Sequence, residues 1–255
     1  MVNLHRFANP NRFMRLSGFV LPWVSGIAAI TFVVGLYLAL VVSPPDYEQR
    51  ETVRIMYIHV PAAWMALFSY TLMAASSAAA LIWRHPLADV AAKSIAPIGA
   101  GFTFICLVTG SLWGQPTWGT WWVWDARLTS VLILFFLFVG YMVLFDAFDD
   151  PTKGARAAGV LAMVGFVFVP IIKFSVDILE LRTLHQGASV SKLSSPSIHE
   201  SMLWPLLTMA LAYIAYFISL LLVRMRSAIL AARVRSLRMM QAERASRVTI
   251  APERL

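Results

Sequence analysis

The sequence predicts an all-α integral membrane protein with six transmembrane helices, and three observations carry that expectation. The chain of 255 residues is 59% hydrophobic and only 13% charged, where soluble domains run about 45–50% apolar and about 25% charged. It divides into six long stretches nearly bare of Asp, Glu, Lys and Arg, each with room for the roughly 20 apolar residues that cross a bilayer. Its single cysteine, Cys106, lies inside an apolar run, which excludes a disulfide framework, a CxxC redox pair and a cysteine zinc cage. A soluble fold of this size could not hide so much apolar surface, and a disordered chain is defined by the opposite composition.

The stretches come in order. Residues 16–45 carry no charge and hold a first span at 18–42. Arg6, Arg12 and Arg15 precede it as they would a signal peptide, but the span is too long for an h-region. Ser43-Pro44-Pro45 follows in place of a cleavage site, so it is expected to be a retained anchor. The second span is 55–83, with His59 near its start. The third stretch is 94–124, its end crowded with Trp and Gly. The fourth span is 128–145, the fifth runs from 157 to about 180 and is interrupted late by Lys173 and Asp177, and the sixth is 201–223. The sequence carries no internal repeat, and the Pro/Ser-rich segment 189–197 reads as an outer loop.

Lysine and arginine counts near span ends set orientation. Fifteen lie on the side of the N-terminus, the second and fourth connections and the C-terminal tail, against five on the other side (Arg50, Arg54, Arg127, Arg182 and Lys192). Both termini are therefore expected in the cytoplasm. The chain divides into a membrane domain at 1–225 and a basic cytoplasmic tail at 226–255, which supplies most of the net charge of +8. A basic stripe beside a span is expected to meet anionic membrane lipids rather than nucleic acid. Docking of a cytoplasmic partner is the second use for it.

The chain has no P-loop, so it does not hydrolyse nucleotide itself, and it has no GxSxG or HExxH motif. What stands out is the segment WGQPTWGTWWVWDARLT at 113–129, which gathers Trp113, Trp118, Trp121, Trp122 and Trp124, five of the nine tryptophans. An aromatic belt spreads one or two rings over each span end. Five rings on one connection, spaced by Gly114 and Gly119 and broken by Pro116, suit a flat apolar ligand at the membrane boundary, since indole offers a large rigid face and one N–H donor; on composition alone an interface belt is the equal alternative. His59, His185 and His199 fall on the same side as this segment, whereas His5 and His85 read as solvated surface residues of the other side. Imidazole is a good iron ligand. Two imidazoles with flat aromatic walls describe a haem site more naturally than a zinc site, which wants three or four ligands. Position favours His185 over His199 as the partner of His59, because His199-Glu200 reads as a helix start.

The string WGTWWVWDARLT resembles the WWD signature of the haem-handling proteins of cytochrome c biogenesis. Taken with IMYIHVPAAW, TLHQG, six spans and the length of the chain, it is similar over nearly its whole length to the CcmC family. The resemblance implies a multi-pass protein of the bacterial inner membrane with its Trp-rich loop facing the periplasm. It implies that haem b is bound as cargo there, with His59 and His185 as axial ligands. It further implies transfer to the haem chaperone CcmE, whose own histidine attaches to a haem vinyl, and work alongside the ABC-type subunits CcmA and CcmB and the small membrane protein CcmD. One departure is that Ile178-Leu179-Glu180-Leu181-Arg182 stands where relatives are expected to carry aromatic residues.

On this expectation haem packs against Trp118, Trp121, Trp122 and Trp124, with Trp113 beside them. Arg54 and Arg127, then Lys173, are candidates to meet its propionates, because a guanidinium takes a carboxylate in two places; lipid headgroups are the plainer partner for each. Asp125 is expected to cap the fourth span at Leu128, or to touch the chaperone or a haem edge. Lys173 and Asp177, four apart, read as a snorkelling ion pair. Two other functions compete: a haem-attaching cytochrome c synthase component, and a permease of an ABC-type haem exporter. The first is disfavoured by the lack of a mid-span histidine, the second by spans almost bare of polar groups.

Overall fold

A computed structural model describes residues 9–179, 184–185 and 198–250. His5, Arg6, the run Glu180-Leu181-Arg182, the neighbours Thr183, Gln186 and Gly187 of His185, the segment 189–197 with Lys192, and Arg254 lie outside the described residues. The side chains of Asp177, Ile178, Leu179 and Arg247 do so too. Among the described residues there are seven α-helices and no strand: α1 (Pro10–Tyr37), α2 (Met56–Trp83), α3 (Pro86–Trp118), α4 (Ala126–Asp146), α5 (Pro151–Gly165), α6 (Phe168–Leu179) and α7 (Glu200–Ile250). They supply six segments long and apolar enough to cross a membrane, α5 and α6 together making the fifth.

Local chemistry sets the helix ends. α1 begins well before the uncharged stretch because Asn9 caps it, its Oδ1 accepting from the backbone N–H of Asn11 (2.9 Å) and Arg12 (3.4 Å) with Pro10 in the first turn. α3 likewise opens on a proline and closes at Gly119, whose φ of 75° and N–H bond to the Gln115 carbonyl (3.0 Å) form a left-handed cap. The fifth span is broken because Pro170 has no N–H to offer the carbonyl four residues back. The Phe166 carbonyl instead accepts from Val169 (3.0 Å), and the chain turns tightly between α5 and α6. α7 does not stop where the apolar stretch ends. It continues through the basic segment to Ile250, and its Arg226 donates to the Met14 carbonyl (2.6 Å) and Ser17 Oγ (2.9 Å), so that α1 and α7 are tied beyond the apolar stretch.

α2 packs along α3, and α1 along α7. The centre is filled by Tyr57, Tyr70, Met73, Ile95, Leu134 and Phe138, all fully buried. Small residues let the helices close on one another, as they must where lipid offers no hydrophobic drive: a Cβ on Gly99 would overlap the Phe138 ring, and one on Gly165 the Tyr70 hydroxyl. At one end of the bundle Lys93 pairs with Asp146 (2.7 Å) and fastens α3 to α4. The opposite end gathers the start of α2, the end of α3, the start of α4 and the chain beyond α6.

Candidate functional site

His59 sits one turn into α2 and is held by α3. Its Nδ1 lies 3.1 Å from the Cys106 carbonyl oxygen and 3.1 Å from Thr109 Oγ1. A carbonyl only accepts, and Thr109 Oγ1 already donates to the Ile105 carbonyl (2.6 Å), so it too accepts here. Nδ1 is therefore the donor, and Nε2 keeps its lone pair, which is the tautomer a metal ligand needs. Gly110 faces the same ring, where an added Cβ would stand 3.0 Å from Cε1. Trp113 meets the imidazole edge-on, with centroids 5.7 Å apart at 74°. Cys106, Thr109, Gly110 and Trp113 are spaced as one face of a helix, so α3 presents a single built wall to His59.

Trp113 is itself fixed from a third element. Its Nε1 donates to Gln49 Oε1 (2.9 Å), in the connection between α1 and α2. That connection is ordered by its own bonds: Asp46 Oδ1 accepts from the N–H of Glu48 and Gln49 (both 2.9 Å), Thr52 Oγ1 donates to the Gln49 carbonyl (2.6 Å), and the Ser43 and Tyr57 hydroxyls are bonded. Arg54, one of the cations singled out from the sequence, is engaged there with Glu51 Oε2 (2.5 Å) and the Ala39 carbonyl (2.8 Å).

His185 reaches the same end of the bundle from beyond α6. Its ring lies 6.0 Å from that of Trp118, on the last turn of α3, and its Nδ1 lies 3.1 Å from Arg127 Nη1. Arg127, in the first turn of α4, also reaches Ser175 Oγ on α6 (3.4 Å). Trp113 and Trp118 are five residues apart on α3, so the two imidazoles stand at the same end of the bundle. The fold thus brings together the two histidines, Trp113, Trp118 and Arg127. His199 stands apart: it is exposed, and its carbonyl accepts from Met202 and Leu203 (both 3.0 Å) while its Nδ1 bonds Ser201 (2.8 Å to Oγ), so it opens α7.

Because α3 runs through Trp118, the irregular connection is only 119–125. Trp122 and Trp124 meet edge-to-face at 5.6 Å; Trp121 and Trp124 are 59% and 76% exposed. The Trp122 Nε1 is buried and has no hydrogen-bond partner among the described residues. Asp125 caps α4, its Oδ1 accepting from the Leu128 N–H at 2.7 Å. Lys173 is exposed on α6. At the other end of the molecule His85 is half-buried with its Nδ1 enclosed, rather than solvated as its neighbour Arg84 suggested, because it stands where α2 turns back into α3.

Comparison with known proteins gives this arrangement a family. The sequence pattern described as "Heme exporter protein C" matches residues 3–240. The chain belongs to the heme exporter protein C family. Relatives of that name are 55% identical over 237 residues in Bradyrhizobium diazoefficiens, covering 93% of this chain and 89% of the relative. In Haemophilus influenzae the figure is 45% over 227 residues, covering 89% and 92%, and in Escherichia coli K12 it is 44% over 227 residues, covering 89% and 91%.

Sequence reasoning did not single out Gln49, Thr109, Gly110 or Ser175 in this family member. Thr109 and Gly110 had a readable signal, since they stand four and three residues before Trp113 on a helical face. Gln49 and Ser175 had none, because each acts through a fold-dependent contact with a distant side chain.

Proposed function

We propose that this chain binds haem b as cargo at the Trp-rich end of the bundle and passes it to the haem chaperone CcmE in cytochrome c maturation. It acts there as a handling protein, with ATP hydrolysis belonging to CcmA, and CcmB and CcmD as further partners. On this reading the chain lies in the bacterial inner membrane with both termini cytoplasmic and residues 119–125 facing the periplasm; residues 1–225 form the membrane domain and the basic tail meets lipid. The observation that carries the proposal is the placement of His59 and His185, drawn from distant parts of the chain to one end and each set beside an indole of α3. The residues present suit haem. His59 offers a lone pair at Nε2, Trp122 holds a buried N–H without a partner among the described residues, and Trp121 and Trp124 leave flat apolar faces exposed. Haem supplies iron for two axial imidazoles, a flat ring for the indoles and carboxylates for the arginines. Arg127 contacts His185 and is the first candidate for a propionate, with Arg54 and Lys173 behind it. Asp125 supports the site by starting α4, which carries Arg127.

The name of the relatives keeps export in view as a second reading, in which the chain is a permease. A path across the bilayer needs polar groups through several spans. The buried polar groups in the spans, among the described residues, are hydroxyls of serines, of one threonine and of tyrosines such as Tyr57, Tyr70 and Tyr141, with no buried carboxylate, guanidinium or ammonium beside them, which weighs against that reading.

The test is a haem spectrum of the purified full-length chain, co-expressed with CcmE and without it, for wild type, His59→Ala, His185→Ala and His199→Ala. Loss or shift of the haem band in the first two variants and not the third is the expected result. An unchanged band in all of them would refute the axial pair, and a wild type without haem under every condition would refute haem as cargo.

A further inference from the structure

The two histidines are not in equivalent states. His59 bonds groups that accept, so its proton is on Nδ1 and its Nε2 is ready for a metal. His185 bonds a group that can only donate: Arg127 Nη1 lies 3.1 Å from its Nδ1. A nitrogen that accepts from a guanidinium carries the lone pair, so the proton of the His185 ring is on Nε2. For Nε2 to take iron while Nδ1 still accepts from Arg127, the ring would have to give up its only N–H proton. If the guanidinium withdraws, the proton moves from Nε2 to Nδ1, exchanging through solvent with no net gain or loss, and Nε2 is free to ligate. What tethers the guanidinium on its other side includes a long bond, 3.4 Å, to Ser175 Oγ.

We infer that Arg127 is a latch on His185: it holds the ring in the non-ligating tautomer until a carboxylate of the incoming tetrapyrrole draws the guanidinium away. Recognition of a propionate and ligation by His185 are then one coupled event, and a flat metal macrocycle without carboxylates engages His59 alone. Arg127 is on this account a positioning residue that acts on the metal through another side chain. The inference rests on the axial pair proposed above and adds the condition under which its second member engages.

Haem and its dimethyl ester, in which both propionates are capped, separate the two ideas. The purified full-length chain, free of haem, is titrated with each, and the coordination state is read from the absorbance and magnetic circular dichroism of the ferric form. Wild type is expected to give a six-coordinate, low-spin spectrum with haem and a form without His185 ligation with the ester. Arg127→Leu is expected to give the six-coordinate spectrum with the ester and to bind it about tenfold tighter than wild type does, the size of one hydrogen bond to a charged group. Arg127→Gln, which is shorter and uncharged, is expected to follow Arg127→Leu and serves where the leucine variant fails to fold. A wild type that binds the ester with the same six-coordinate spectrum and affinity as haem overturns the latch and leaves the axial pair standing. His185→Ala with an unchanged haem spectrum overturns both, through the ligand assignment.

Discussion

Replacing Gly110 with alanine is expected to weaken haem binding without unfolding the protein, and the distances say why. The new Cβ would stand 3.0 Å from His59 Cε1, whereas carbon atoms rest about 3.5–4.0 Å apart. The ring must therefore retreat from α3 by about half an ångström. The two acceptors of its Nδ1 are on the same helix as Gly110, each at 3.1 Å, so retreat lengthens both contacts to about 3.6 Å, where a hydrogen bond is lost. Losing the outer-shell bond that orients a ligating histidine lowers metal affinity about 10–100-fold. The helix itself gains about 0.5–1 kcal/mol from the exchange of Gly for Ala, which offsets part of the local crowding. Haem titration and thermal unfolding of the same detergent-solubilised samples read the two quantities. A haem Kd raised at least tenfold with a Tm within a few degrees of wild type is the expected result. A Kd within twofold of wild type would refute the claim that α3 sets the His59 ring, and a Tm collapse would refute the claim that the effect is local.

Three further outcomes are expected. Asp125→Ala removes the cap of α4 and should cost about 0.5–2 kcal/mol, seen as a lower Tm, while Asp125→Asn keeps the accepting oxygen and most of the stability. Gly165→Ala drives a methyl into the Tyr70 hydroxyl and should destabilise by about 1–3 kcal/mol. That hydroxyl has no hydrogen-bond partner among the described residues, so Tyr70→Phe should restore much of the Tm; failure of the rescue would show that the clash lies elsewhere. Gln49→Ala and Trp113→Phe each remove the same bond, so in a double-mutant cycle of unfolding free energies the pair should be coupled by about 0.5–1.5 kcal/mol, and strict additivity would dismiss the bond.

The six spans were legible because a membrane protein writes its fold in composition: a stretch without charge is long enough to cross or it is not. Ends were less legible. α1 begins at Pro10 rather than near residue 18 because Asn9 caps it, and the fifth span is split because Pro170 starves a carbonyl in the preceding turn, a local effect that hydropathy averages away. Asp125 as a helix cap was readable since it needs only a neighbour three residues on. His59, His185 and the tryptophans could be named from the sequence, but not their states. The tautomer of His59 depends on a carbonyl of α3, and that of His185 on an arginine of α4, and no local pattern records which acceptor or donor a fold will bring to a ring.

That difference bears on how a cargo protein lets go. A site with two ligands permanently set, and with a wall of indoles, would hold a haem too well to pass it on. Here His59 is fixed by two long helices packed along each other, and its tautomer is set by the main chain of α3. A helix carbonyl, unlike a side chain, has no rotamer to change. His185 belongs to the chain beyond a short helix and meets the Arg127 side chain, whose other contacts include a 3.4 Å bond to a serine. If Arg127 governs His185 as inferred, the return of that guanidinium pulls the tautomer back and removes one axial ligand, with no movement of the helices. A partner that competes for the haem carboxylates would then release the iron as well, so mixing the haem-loaded chain with CcmE should convert six-coordinate to five-coordinate haem faster in wild type than in Arg127→Leu. Equal rates would place the release trigger elsewhere in the site.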